Sequence, residues 1–373
     1  MLRVILAGCG AVVAAQCSAT SCRDGNDESS LLQTKSAVSH NAGATRHMLA
    51  MDMQLNQQRQ PSLVERIAAA PSATERLELL KPLAWAHIPK AGDSFANVLL
   101  GFSELWGACS APDALLESNG RQECDIIFSE ATKQCPGTMT SPFPDPSVGL
   151  FCGHPMLGAT YAQTQGHLVA MFRQPEQRIL SSYYDVKEDG LVAGGWVSPV
   201  PPSSASDYAV AAQGCVTKML TRAETAGGLT GVDPCAPPAV SAEEAVLARD
   251  RVLQDFAFVG ILEEWDLSIC LFHVKFGGSC LESDFANLHA GPNASKASSY
   301  DTSVLEGFVD ESDGAVYNAA KFVFRSDLTR YGLSSAACAQ LCPSPSAAQQ
   351  AGQTALMQLK VQDDKARQEK PRS

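Results

Sequence analysis

A lysine, a glycine and a serine fall within five residues of one another in His87-Ile88-Pro89-Lys90-Ala91-Gly92-Asp93-Ser94. Those are the residue types of an anion site. Lys90 can set an ammonium against an anionic oxygen, Gly92 permits close approach of the backbone, and Ser94 offers a hydroxyl. The Lys precedes the Gly, and no G-x-x-x-x-G-K-[ST] string occurs, so this is not the usual nucleoside triphosphate loop. Arg173 and Ser181 make a second set, since a guanidinium forks onto phosphate oxygens and a helix Ser adds a hydrogen bond. Between the two sets stands His154, whose imidazole can take a proton from a hydroxyl near neutral pH.

The elements that must position these residues are legible as alternating patterns. Residues 83–88 are an apolar run that predicts a buried strand. Residues 89–93 are a turn, and Ser94 is placed to cap a helix with Phe95, Val98, Leu99, Phe102 and Trp106 on one face. Residues 168–172 predict a second strand, followed by a turn at 173–175 and a helix over 176–186. Residues 190–238 are rich in Gly, Pro and Ser and read as an irregular insertion with a short helix near 207–224. Ser241, followed by Glu243 and Glu244, starts a helix over 241–254. A third strand is expected over 256–261, then helices over 267–276 and 314–331. Residues 61–80 carry short helical patterns broken at Pro71. There is no internal repeat. Strands alternating with helices predict a mostly parallel α/β sheet, and the first unit is a strand feeding a loop into a helix N-terminus, a place where backbone N–H groups face outward.

The string HIPKAGDSF resembles the HIPK-T-G-G-T-S or HIPK-C-G-T-S loop of Golgi-type PAPS-dependent carbohydrate sulfotransferases. Residues 172–184 (FRQPEQRILSSYY) resemble that family's R-D-P-x-x-R-x-x-S-x-Y-Y segment, and residues 256–265 resemble its F-x-F-V-G-L-x-E-x-F/W string. The resemblance spans about residues 82–332 and is strongest at the first two motifs. It implies a P-loop-like three-layer domain with a mostly parallel central sheet flanked by helices. It implies that Lys90, Ala91, Gly92, Asp93 and Ser94 hold the 5′-phosphosulfate of PAPS, with Lys90 assisting the leaving group, and that Arg173 and Ser181 grip the 3′-phosphate. His154 resembles the catalytic His of the uronyl 2-O-sulfotransferase branch. Asp93 departs from the pattern, because a carboxylate beside a phosphosulfate is unfavourable unless it points away. Gln174 replaces the more usual Asp.

For the other polar residues the expected roles are structural: Arg178 as an ion-pair partner, His87 and His167 at strand ends, and Glu263 and Glu264 as scaffold. Glu123, Asp125 and Glu130 are secondary candidates for a base, and Lys296 for a donor contact. The expected activity is transfer of a sulfuryl group from PAPS to a glycan hydroxyl, without a metal. Two alternatives stand beside it: a PAPS-, PAP- or glycan-binding protein of the same fold with impaired catalysis, motivated by Asp93 and by Ala91 where the family has Thr, and a kinase-like enzyme.

Net charge is -12, which argues against binding nucleic acid, where Lys and Arg must neutralise phosphates. Residues 1–18 read as a signal peptide or short signal anchor, the only expected link to a membrane. Residues 19–81 read as a stem, 82–332 as the sulfotransferase domain and 333–373 as a polar tail. Of 13 cysteines, Cys9 lies in the leader and Cys17 and Cys22 near its end. The other ten, with no CxxC pair among them, suggest disulfides in a secretory-pathway protein of the Golgi lumen or outside the cell, with the pairing open. Asn293-Ala294-Ser295 is a glycosylation sequon.

Overall fold

Three strands form one parallel sheet in chain order: β1 (Ala84–Trp85), β2 (Leu168–Phe172) and β3 (Phe256–Ile261). The computed structural model describes residues 60–109, 121–143, 151–188, 204–223, 235, 238–285 and 299–344, with backbone only for 121–123 and 185–188. The leader, the stem up to 59, Cys9, Cys17, Cys22, the sequon at Asn293, Lys296 and the tail beyond 344 lie outside the described residues. Ala84 pairs with Leu168, and Phe172 with Ile261. Every residue of the three strands is buried, as near-continuous apolar runs are in a parallel sheet covered on both faces. Leu83 adds one parallel bridge to Met139 on the far edge of β1.

Helices flank this small α/β sheet. Two precede β1: α1 (Leu63–Ala69) and α2 (Ala73–Leu80). Ser62 and Glu65 close a capping box on α1, and Ser72 caps α2. Ile67, Leu77 and Leu80 are buried in the main core. The compact unit therefore begins at Pro61, not at Pro82. Each helix is so short that two or three apolar positions define its buried face, too few to separate it from a stem by pattern.

Between β1 and β2 come α3 (Phe95–Gly101), α4 (Ser103–Trp106), α5 (Arg121–Gln134) and α6 (Tyr161–Thr164). The expected single helix after Ser94 is broken at Phe102. Trp106 Nε1 donates to Leu99 O at 2.9 Å, the carbonyl that a continuing helix would give to Ser103. Ser94 precedes α3 but makes no side-chain cap hydrogen bond, contrary to the sequence expectation. Its backbone is already in the helical region, where the capping geometry is lost. Between β2 and β3 lie α7 (Pro175–Glu188), α8 (Ala205–Ala212), α9 (Cys215–Thr221) and α10 (Ala242–Asp255). The capping box of Ser241 with Glu244 on α10 is formed. After β3 come α11 (Trp265–Phe276), α12 (Glu311–Arg330) and α13 (Ser335–Leu341). Among the described residues no helix is long and apolar enough to cross a membrane.

An aromatic cluster ties the first βα unit to the third strand. Phe95 of α3 stacks on Phe258 of β3 at 5.8 Å, and Phe272 of α11 meets both rings edge-on. Truncating one such ring costs about 3–5 kcal/mol, so the cluster fixes where the loop before α3 sits. A smaller cluster joins Ile179 and Leu180 of α7 to Tyr208, Ala209 and Leu305.

Ten cysteines pair as Cys109–Cys135, Cys124–Cys152, Cys215–Cys235, Cys270–Cys338 and Cys280–Cys342. Five such bonds belong to a chain that folds in an oxidising extracellular or secretory compartment. The last two hold α13, which the sequence assigned to the tail, against the core.

Candidate functional site

Because the strands are parallel, the segments that follow β1, β2 and β3 leave by the same edge of the sheet, the usual ligand edge of such folds. After β1, Ala86 still donates to Val169 O, but His87 N turns back to Trp85 O at 3.1 Å. The ladder ends there, and residues 87–94 form the loop. Lys90 adopts φ 58 and Gly92 φ 117. A left-handed non-glycine residue costs on the order of 1–3 kcal/mol and is typical of ligand clamps. Gly92 is required by contact as well as by φ, since a Cβ there would lie 3.0 Å from Trp265 Cζ3 and 3.4 Å from Leu262 Cδ1. The loop is thus seated on the residues just after β3.

Arg173 follows β2 directly and reaches the loop: its Nη1 donates to Lys90 O at 3.1 Å. Its guanidinium also lies 5.6 Å from the centroid of the Tyr300 ring. No carboxylate pairs with it among the described residues, and burial holds its pKa below the usual arginine value. Arg178, one turn further on, is different. It is buried and paired at 3.2 Å with Asp313, which also accepts from Val216 N, Thr217 N and Thr217 Oγ1. The two arginines of the motif therefore separate into one structural ion pair and one cation that no carboxylate meets at salt-bridge distance among the described residues.

Asp93 does not stand alone in the loop. His87 Nδ1 lies 2.8 Å from Cys152 O and its Nε2 lies 2.9 Å from Asp93 Oδ1. A carbonyl and a carboxylate both accept, so the ring is placed to donate towards either partner. Burial would raise Asp93, but the His87 hydrogen bond and the charges of His87, Lys90 and His154 outweigh it and hold the carboxyl well below its usual range. The unfavourable charge expected from Asp93 is offset by a histidine six residues earlier.

His154 sits against this pair, its ring centroid 4.5 Å from that of His87. Its Nδ1 donates to His87 O at 3.1 Å, so Nε2 is the nitrogen that would act as a base whenever the ring is neutral. The segment bearing His154 is held by the Cys124–Cys152 disulfide and by Asp125, whose Oδ1 accepts from Phe151 N and Cys152 N, both at 2.7 Å. Asp125 is thus occupied in holding backbone. Glu130 is on the surface with Lys133, His167 bonds Leu80 O at the opposite end of β2, and Glu263 accepts from Gln174 N and Tyr317 OH. Glu264 pairs with Arg325. The side chain of Glu123 lies outside the described residues.

No known family model, curated protein or solved structure matches this chain. The site is therefore read from its own geometry.

Ser181 lies on α7, buried, with no side-chain partner among the described residues. Gln177, Ser181 and Tyr184 are spaced i, i+4, i+7 and share one helix face. That face carries Tyr300: Gln177 Nε2 donates to Tyr300 O, Tyr300 N donates to Gln177 Oε1, and the Tyr184 and Tyr300 rings stack at 5.4 Å. Arg173 lies over the same Tyr300 ring, so the guanidinium and the face of α7 that bears Ser181 meet one aromatic residue, the helix face through Gln177 and Tyr184. Sequence reasoning did not single out Gln177 or Tyr300. They are 123 residues apart, and no spacing rule links them.

Proposed function

We propose that the chain is a sulfotransferase that moves a sulfuryl group from PAPS to a glycan hydroxyl, on a P-loop-like three-layer fold, in the Golgi lumen. The observation that carries this reading is Arg173: a partly desolvated guanidinium with no carboxylate at salt-bridge distance among the described residues, tethered to the carbonyl of the loop lysine. Burying an unpaired cation is costly, and a bound phosphate would supply the missing charge. The left-handed Lys90, the close-packed Gly92 and the parallel βαβ order also support it.

When bound, PAPS supplies an activated sulfuryl group on a good leaving phosphate. In this reading residues 90–94 hold the 5′-phosphosulfate, and Arg173 and Ser181 hold the 3′-phosphate. His154 Nε2 takes the proton of the acceptor hydroxyl, whose oxygen forms the new S–O bond. Lys90 stabilises the charge on the phosphate oxygen as the old S–O bond breaks and its electron pair leaves with PAP. His87 keeps Asp93 compensated, so that the loop retains a net attraction for anions.

Labelled PAPS offered with mixed glycans, alongside calorimetric titration with PAP, tests the proposal. Transfer that is lost in Lys90→Ala supports it. Neither transfer nor PAP binding sinks it. PAP binding without turnover, unchanged by Lys90→Ala, makes this a binding protein instead, the reading that Asp93 inside the loop favours.

A further inference from the structure

Arg173 spends one of its five N–H groups on Lys90 O. A single hydrogen bond does not fix a side chain with four rotatable bonds, and an unaimed arginine has rotamer freedom to lose on binding. Something else must aim the guanidinium. The other contact is the Tyr300 ring, at cation–π distance. Tyr300 lies outside any helix or strand, so its own position needs a cause. That cause is on α7. The Gln177 carboxamide closes a two-way hydrogen-bonded bridge with the Tyr300 backbone, at 2.9 Å to the carbonyl and 2.6 Å from the amide. Gln177 is in turn held at the first turn of α7, where its N donates to Gln174 Oε1. Tyr184 packs the ring from two turns further along. The helix that presents Ser181 thus also fixes the aromatic platform for Arg173.

We infer that Gln177 and Tyr300 are positioning residues that hold the Arg173 guanidinium beside Ser181, and that this clasp sets selectivity for a nucleotide carrying a 3′-phosphate. The inference rests on the reading of Arg173 as the 3′-phosphate ligand. It gives Gln177 and Tyr300 no contact with the reacting atoms. Their effect falls on one phosphate only.

The test compares dissociation constants of adenosine 3′,5′-bisphosphate and adenosine 5′-monophosphate on the full chain. The wild type is expected to favour the bisphosphate. Tyr300→Ala should cut that preference by roughly two- to thirty-fold, the range of a cation–π contact from exposed to desolvated, and leave the monophosphate constant in place. Gln177→Glu keeps an acceptor for Tyr300 N but sets a carboxylate against Tyr300 O, so it should act in the same direction. Tyr300→Phe keeps the ring and should restore the preference. A wild type that binds neither nucleotide overturns the reading of Arg173, and this inference with it. A wild type that prefers the bisphosphate, with Tyr300→Ala leaving the ratio intact or weakening both nucleotides equally, overturns the inference alone.

Discussion

Arg173 and Arg178 stand five residues apart, and their replacement should have very unequal consequences for stability. Arg178→Ala leaves Asp313 buried, at 2% exposure, with three hydrogen bonds and no counter-charge. Breaking a buried pair from one side costs about 3–5 kcal/mol, which for a domain of this size lowers Tm by roughly 6–15 °C. Arg173→Ala removes one hydrogen bond to Lys90 O and one ring contact, together worth about 1–2 kcal/mol. It also removes a partly desolvated cation that no carboxylate meets at salt-bridge distance among the described residues, a gain of similar size. The net change should be within about 1 kcal/mol, a shift of roughly 3 °C or less. Thermal unfolding of both variants at pH 7, without reductant, reads this directly. PAP at a hundred-fold excess over its Kd should stabilise the wild type by about 2.7 kcal/mol and Arg173→Ala far less. If Arg173→Ala unfolds as early as Arg178→Ala, Arg173 is a structural cation and the argument from its missing partner fails.

The Asp93–His87 pair should appear in acid unfolding. The carboxyl of Asp93 is depressed in the fold, so its stabilisation is present at neutral pH and declines as pH drops below the ordinary aspartate value of 3.8; Asp93→Asn should lose that part of the acid dependence. Asp310 should behave in the reverse sense, because burial and then the Asp313 charge raise its pKa. The folded state then holds a proton that the unfolded state releases, and stability falls as pH rises from about 4 towards neutrality; a flatter profile for Asp310→Asn would confirm it. Gly92→Ala forces a Cβ to 3.0 Å from Trp265 Cζ3 at a left-handed φ, so PAP affinity should fall in titration, and unchanged affinity would show that the loop has room to spare. Removing Cys124 and Cys152 together opens a 28-residue separation and should cost about 3–4 kcal/mol, with proteolysis appearing first around residues 151–155.

Much of the scaffold was readable because single residue types carried it. The boundaries of β2 and β3 follow from unbroken apolar runs, and the bounds of α10 from Ser241 and Glu244. The apolar run over 83–88 predicts a six-residue β1, yet Ala84 and Trp85 alone pair with β2 among the described residues, because His87 N bonds back to Trp85 O; a local turn of that kind leaves no mark on hydrophobicity. The helix after Ser94 was read through residue 106 because its apolar spacing is helical throughout. A tryptophan indole takes the carbonyl that would have continued it. At the site, Lys90, Gly92 and Arg173 were legible as types that bind anions, and the fold brings them together. The compensation of Asp93 was not, since it depends on which way a histidine six residues earlier points. The Gln177–Tyr300 bridge was not either, because contacts across 123 residues are set by packing and not by spacing.

The order in which the crosslinks can close bears on how the chain is made. Cys109–Cys135, Cys124–Cys152 and Cys215–Cys235 span 26, 28 and 20 residues, so each partner follows soon after the first during synthesis. Cys270 and Cys280 wait 68 and 62 residues for Cys338 and Cys342. Until those arrive, two thiols stay unpaired, one of them on the helix packed against β3. A chain that ends between Cys280 and Cys338 keeps both unpaired. Cys338 on α13 and Cys342 just after it therefore close the two longest crosslinks only after the segment between them and Cys270 has been made.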